Sequence, residues 1–181
     1  MTIKIETKTS VKTNIENLKK HINNVLSTVP QSHLRGLTRI MLVDRIDEPR
    51  LDASQRAQLP GLYHPKIPNS QPWIELALFT LLDETTWFKR MGRKLAFRAN
   101  ITTTLLSLVA QHYYLTLSHG IKRSQIESAV KAYVEKQMNI FAQSQKGLRV
   151  TLLKPFRPIL EKLAKWVRKR YQHRVLQKRE L

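Results

Sequence analysis

Apolar residues recur at spacings of three and four through residues 10–29, "SVKTNIENLKKHINNVLSTV", as Val11, Ile15, Leu18, Ile22, Val25 and Leu26. That period predicts an amphipathic helix, capped by Ser10 or Thr13 and closed by Pro30. His21 falls beside the apolar stripe, where packing is a commoner role than metal ligation. Residues 36–47, "GLTRIMLVDRID", are short, rich in branched side chains and bounded by turn formers, so they predict a strand. Residues 48–72 hold most of the prolines, and the whole stretch, "GLYHP" included, predicts loop. "WIELALFTLL", 73–82, alternates as a second strand. Ile74, Leu76 and Leu78 take one face, and Trp73, Glu75, Ala77 and Phe79 the other.

From Glu84 the pattern turns helical, as one long helix or two up to a C-terminal Gly120. Ser124 and Glu127 have the spacing of a capping box. The helix they open, about 125–143, buries Ile126, Val130, Tyr133, Val134, Met138 and Phe141. A last helix follows Pro155 and Pro158, with Phe156, Leu160, Leu163, Val167 and Tyr171 on one stripe. No internal repeat or low-complexity run interrupts the series. The pattern therefore predicts an α+β fold, predominantly helical around a small sheet. It divides into a domain over 1–150 and a basic amphipathic C-terminal helix over 151–181.

One window stands apart. Ala99 to Ile121 carries no charged side chain, and it is long enough for a membrane span. It also holds four Thr, two Ser, two His, an Asn and a Gln. Unpaired polar groups of that number are costly in lipid, so no transmembrane span is expected. The window predicts a core helix instead. Leu105, Leu108, Val109, His112 and Leu115 or Thr116 line one side, and Leu106, Tyr113 and Leu117 another.

Composition adds three constraints. At 41% apolar residues the chain can form a core without staples. It has no cysteine, which excludes disulfides, thiolate metal sites and thiol catalysis. Its first residues lack the apolar run of a secretory signal, so a cytoplasmic location is expected. The charge is lopsided. Residues 1–84 hold 11 Lys/Arg against 9 Asp/Glu, whereas residues 85–181 hold 21 against 4, a net of +17. A field of that kind implies an anionic partner.

The order of elements carries a resemblance. A helix, a strand, a loop containing "GLYHP", the strand "IELAL" and a basic-aromatic helix lead into "TLL…H". This order resembles small zincin-like metallopeptidase domains, in which a strand–GLY–strand unit precedes a helix reading TLLHEIGHH. With Thr104, Leu105 and Leu106 set on that TLL, Ser107 falls on the first His and Leu108 on the Glu. Gln111 then falls on the second His and His112 on the trailing His. "ESAVKAYV" keeps Glu127 and Tyr133 at the spacing of the following helix, with Val130 and Lys131 replacing an Ala-Asp pair. The resemblance covers roughly residues 12–142 and implies a zincin fold that has lost its chemistry. Zinc needs imidazoles at i and i+4, Ser107 and Gln111 are poor ligands, and Leu108 can move no proton. It implies a pseudoenzyme with degenerate metal-site positions Ser107, Leu108, Gln111, His112 and Glu127, and neither metal nor cofactor. His112 and His119 lie about 10 Å apart along a helix, too far to share one ion.

Other chemistry is sparse. No glycine-rich phosphate loop or nucleophile elbow is present. Asp44, Asp47, Glu48 and Asp52 cluster but are interleaved with Arg45 and Arg50, which suits a solvated turn better than a hard cation. The basic elements remain. "WFKRMGRKLAFR" interleaves aromatics with Lys89, Arg90, Arg93, Lys94 and Arg98. The C-terminal stretch adds Lys165, Arg168, Lys169, Arg170 and Arg174, with Trp166 and Tyr171 beside them. Such helices track phosphates, lie on anionic membranes, dock in a partner's groove or cover a core. The favoured expectation is a non-catalytic protein that binds nucleic acid without sequence preference through residues 85–181. The alternatives are an anionic membrane surface, an acidic protein partner, or a metallopeptidase with an atypical site.

Overall fold

The structure, a computed structural model, describes residues 3–11, 14–49, 51–68, 70–83, 91–117 and 123–145, with the backbone alone for 83, 91–95 and 123. The chain divides into two compact units, Met1–Phe141 and Ala142–Leu181. The second falls almost wholly outside the described residues, so the basic helix expected over 151–181 lies there too. The first unit is α+β. Five helices and a four-stranded mixed sheet account for its described elements, together with short 3-10 and π turns.

The sheet order is β1 (Lys4–Lys8), β2 (Arg39–Val43), β4 (Trp73–Ala77), β3 (Gly61–His64). β1 and β2 are parallel, as are β2 and β4, while β3 returns antiparallel along β4. The central strands are buried on both sides, which is why "RIMLV" and "WIELA" read as nearly continuous apolar runs. Ile40, Leu42, Ile74, Leu76 and Tyr63 face one core with α1 (Ile15–Leu26) and α4 (Met91–His112). Met41, Val43, Ile46 and Ala77 form a smaller core on the opposite face, with Leu59, Leu62 and Trp73 packed against it. The two faces expected for 73–77 are thus correctly divided, but neither is open.

Several expectations need correction. α1 starts at Ile15, and its cap is Asn14, whose Oδ1 accepts from the Asn17 amide at 2.9 Å. Ser10 instead donates to Asp44 from its backbone and its hydroxyl. β1 was not anticipated, although Ile3, Ile5 and Thr7 alternate with Lys4, Glu6 and Lys8. The proline-rich stretch is not all loop. Asp52 and Gln55 close a capping box on α2 (Ala53–Gln58), and "GLYH" is β3. The second strand ends at Ala77, where the Phe79 amide donates to the Asp44 carbonyl and the chain turns into α3 (Leu78–Asp83). Leu78 and Leu82 fit an alternating spacing, but Leu78, Leu81 and Leu82 together fit a helical one, and Leu78 and Leu81 are buried as a helix. α4 passes into a π turn, Tyr113–Leu117, and α5 runs from Ile126 to Ser144. Leu115 or Thr116 was expected to line the core, but both are exposed. Gly120, expected to end the helix, lies outside the described residues.

Candidate functional site

Of the positions that the resemblance marks, Ser107, Leu108, Gln111 and His112 lie near the C-terminal end of α4, and Glu127 lies on α5. Leu105, Leu106, Leu108 and Val109 are buried, while Ser107 and Gln111 are half-buried. Leu108, in the place the resemblance gives to a general base, is 4% exposed and pressed against the edge strand. A Cβ added to Gly61 would stand 2.8 Å from Leu108 Cδ1, 2.8 Å from the Glu75 carbonyl oxygen and 3.0 Å from Thr104 Cγ2. The "GLY" glycine is therefore what lets β3 lie this close to α4.

His112 is fully buried and both ring nitrogens are engaged. Nε2 lies 3.0 Å from the Arg35 carbonyl oxygen and Nδ1 lies 3.0 Å from the Tyr63 hydroxyl. A carbonyl only accepts, so Nε2 carries the proton and Nδ1 accepts from Tyr63. The Tyr63 oxygen then accepts from the Thr116 hydroxyl at 2.8 Å. The π turn after His112 lets Thr116 reach the same phenol. Burial pushes the His112 pKa down and the Tyr63 pKa up, which keeps both neutral. No lone pair of His112 is left for a metal. Glu127, its proposed companion, is exposed at the start of α5. The structure does not join them as a ligand pair. Among the described residues no group of three or more His, Asp or Glu can hold a metal ion.

Two further imidazoles tie elements together. The Thr102 hydroxyl donates to the Arg98 carbonyl at 2.8 Å, so Thr102 Oγ1 accepts from His21 Nε2 at 3.0 Å, fixing α1 to α4. His33 Nδ1 lies 3.0 Å from the Tyr133 hydroxyl, and its ring packs on Tyr113 with centroids 4.1 Å apart. Burial lowers the pKa of both histidines, with Lys136 adding to the effect at His33.

Sequence reasoning missed a fourth cluster. Glu75 is buried, and its Oε2 accepts from His64 Nε2 at 2.9 Å. The His64 ring stacks on Trp73 with centroids 3.8 Å apart, and the Arg39 guanidinium lies over Trp73 at 4.8 Å from the ring centre. The signal was cross-strand register, which places Arg39, Trp73 and His64 in one row and cannot be read before pairing is known. The acidic cluster dissolves into separate tasks. Asp44 anchors Thr9 and Ser10, Asp47 pairs with Arg56, and Asp52 caps α2.

Of the expected anion-binding residues, Arg98 is exposed on α4. Arg93 and Lys94 are placed on α4 by backbone alone. Lys89, Arg90, Lys165, Arg168, Lys169, Arg170 and Arg174 lie outside the described residues. No helix among the described residues is long and apolar enough to cross a membrane. Compared with protein-family models, curated proteins and solved structures, the chain matches none.

Proposed function

We propose that this protein is a non-catalytic binding protein on a zincin-like scaffold, and that its basic half, residues 85–181, holds nucleic acid without reading its sequence. The observation that carries the loss of catalysis is the packing of Leu108 against Gly61, with His112 consumed by Arg35 and Tyr63. Where the resemblance would put a general base stands the apolar Leu108, and where it would put the trailing histidine stands an imidazole already bonded at both nitrogens. The scaffold reading is supported by the β3–β4 hairpin, whose "GLY" glycine touches the helix that stands for the metal helix. The partner is inferred from the net +17 of residues 85–181. Charge spread over half a chain suits a polyanion better than a single membrane-facing patch. The reading goes with a cytoplasmic protein.

Elemental analysis of protein purified without an affinity tag tests the first half. No stoichiometric zinc is expected. One zinc per chain, lost in His112→Ala, would overturn the reading. The reverse variant, Ser107→His with Leu108→Glu and Gln111→His, is expected to take up zinc if the scaffold assignment holds. Purification from native lysate with and without nuclease tests the second half. Nucleic acid is expected to accompany the untreated protein, and an acidic protein or lipid in its place would redirect the proposal.

A further inference from the structure

Among the described residues β1 is the edge of the sheet, and its register shows which of its backbone groups point away from β2. Lys4 is paired with Arg39, and its amide donates to the Thr38 carbonyl at 3.1 Å. In a parallel pair the inward-pointing residues alternate. Lys4, Glu6 and Lys8 therefore direct their backbone groups at β2, whereas Ile5 and Thr7 direct theirs outward. The side chains alternate too. Ile3 and Ile5 pack against the main core, while Lys4 and Glu6 stand on the opposite face, where Glu6 Oε1 meets Lys4 at 2.9 Å. Arg39 lies 3.7 Å from the other carboxylate oxygen, and Lys4 keeps 77% of its side chain exposed.

We propose that this edge pairs with the same edge of a second copy, antiparallel and centred on Ile5, to make one continuous eight-stranded sheet across a two-fold axis. Charge selects the partner and the register. A parallel neighbour of the same sequence in register sets Lys on Lys and Glu on Glu. An antiparallel pair centred on Glu6 sets Glu6 opposite Glu6 and Lys4 opposite Lys8. The pair centred on Ile5 sets Lys4 opposite Glu6 of the second copy, twice by symmetry, at non-hydrogen-bonded positions where side chains are closest. The two Ile5 residues exchange both backbone hydrogen bonds, and each meets the other on the core face, so the apolar layer continues across the axis. A register centred on Thr7 also matches charges. It needs Thr9 in the strand, however, and Thr9 is held by Asp44 beyond the end of β1. Edge lysines commonly block strand addition. Here the glutamate between them makes the block selective, because it leaves one self-complementary register open. Closure by a two-fold axis leaves no growing end at β1.

The test is sedimentation of the full chain across the micromolar range at about 0.15 M salt. There the screening length of about 8 Å damps repulsion between two basic chains but spares adjacent pairs. A concentration-dependent dimer is expected. Lys4→Glu alone and Glu6→Lys alone should each be monomeric, because each sets like charges opposite one another. Their equimolar mixture should associate, because both cross-strand pairs are then opposite in charge. Ile5→Pro, which removes an outward amide and none that bonds β2, should be monomeric and retain the parent circular dichroism. In the wild-type chain, exchange of the Ile5 and Thr7 amides should slow as concentration rises, a readout that needs no variant. A wild-type chain that stays monomeric overturns the proposal. So does a dimer that survives Ile5→Pro or both charge variants, a mixture that fails to associate, or exchange at Ile5 and Thr7 that ignores concentration.

Discussion

His112 shows how a residue that reads as chemistry can be spent on structure. Its neighbours in the sequence, Gln111 and Tyr113, gave no sign of Tyr63 or Arg35, which are brought to it by the β3–α4 contact and by the turn before β2. The sequence supported a core histidine, and the hydrogen bonds explain why that is its role. Replacing it with Ala removes a buried ring and leaves a phenol and a carbonyl unpaired, so a loss of about 3 kcal/mol is expected by urea unfolding. Tyr63→Phe should cost about 1 kcal/mol by the same measurement. The three engaged histidines also set a pH dependence. His21, His33 and His112 all have pKa values lowered from 6.5, chiefly by burial. Well above 6.5 they are neutral in both states and their full contribution is present. Below it the unfolded chain takes up protons that the native chain refuses, so stability falls until the pH passes through the lowered native values. Glu6 and Asp44 are lowered from 4.5 and 3.8, Glu6 first by its bond to Lys4 and Asp44 first by its bond to Ser10, so their losses begin at more acid pH. The urea midpoint is therefore expected to drop between about pH 7.5 and pH 5.5. A flat profile across that window would contradict the burial of these rings.

At the scale of elements, the legible parts were those with long periods. α1, α5 and the buried run through α4 follow from apolar spacing, and β2 and the first half of 73–82 from branched apolar runs. The short pieces failed for physical reasons. β3 is four residues between Pro60 and Pro65, and its strand character comes from pairing with β4 rather than from its own composition. α2 carried a legible D-x-x-Q cap, which was obscured by reading Asp52 as one of an acidic group. Leu78–Leu82 fits two periods, and the tie from Phe79 to Asp44 chooses the helix. The contact of β3 with α4, on which the proposed loss of catalysis leans, rests on one missing side chain. Gly61→Ala places a methyl against the backbone oxygen of Glu75 as well as against Leu108. The backbone cannot yield as a side-chain end can, so a loss of about 1–3 kcal/mol is expected in denaturant unfolding. A neutral effect would mean that β3 does not lie on the helix at Leu108.

For the whole molecule, the fold class was legible, and of the proposed binding surface only its charge was. Net charge is a property of composition, and its concentration in residues 85–181 needs no structure to be seen. Which of those cations share a surface is a matter of tertiary arrangement, and spacing along one helix cannot supply it. That Ser107 and Gln111 are poor zinc ligands and Leu108 no base is a matter of residue type, visible without a structure. The close approach of β3 at Gly61 and the two hydrogen bonds of His112 could not be foreseen. On the proposal that the molecule holds a polyanion and catalyses nothing, its binding to duplex DNA should depend steeply on salt. Each neutralised phosphate releases about 0.9 counterion, so six to ten contacts should weaken binding roughly a thousand-fold or more between about 50 and 200 mM salt. Replacing Arg168, Lys169 and Arg170 together by Gln should reduce the slope by up to about three units, with unrelated duplexes bound alike. Absence of binding to duplex and single strands at about 0.1 M salt, or binding that ignores salt, would rule out that function.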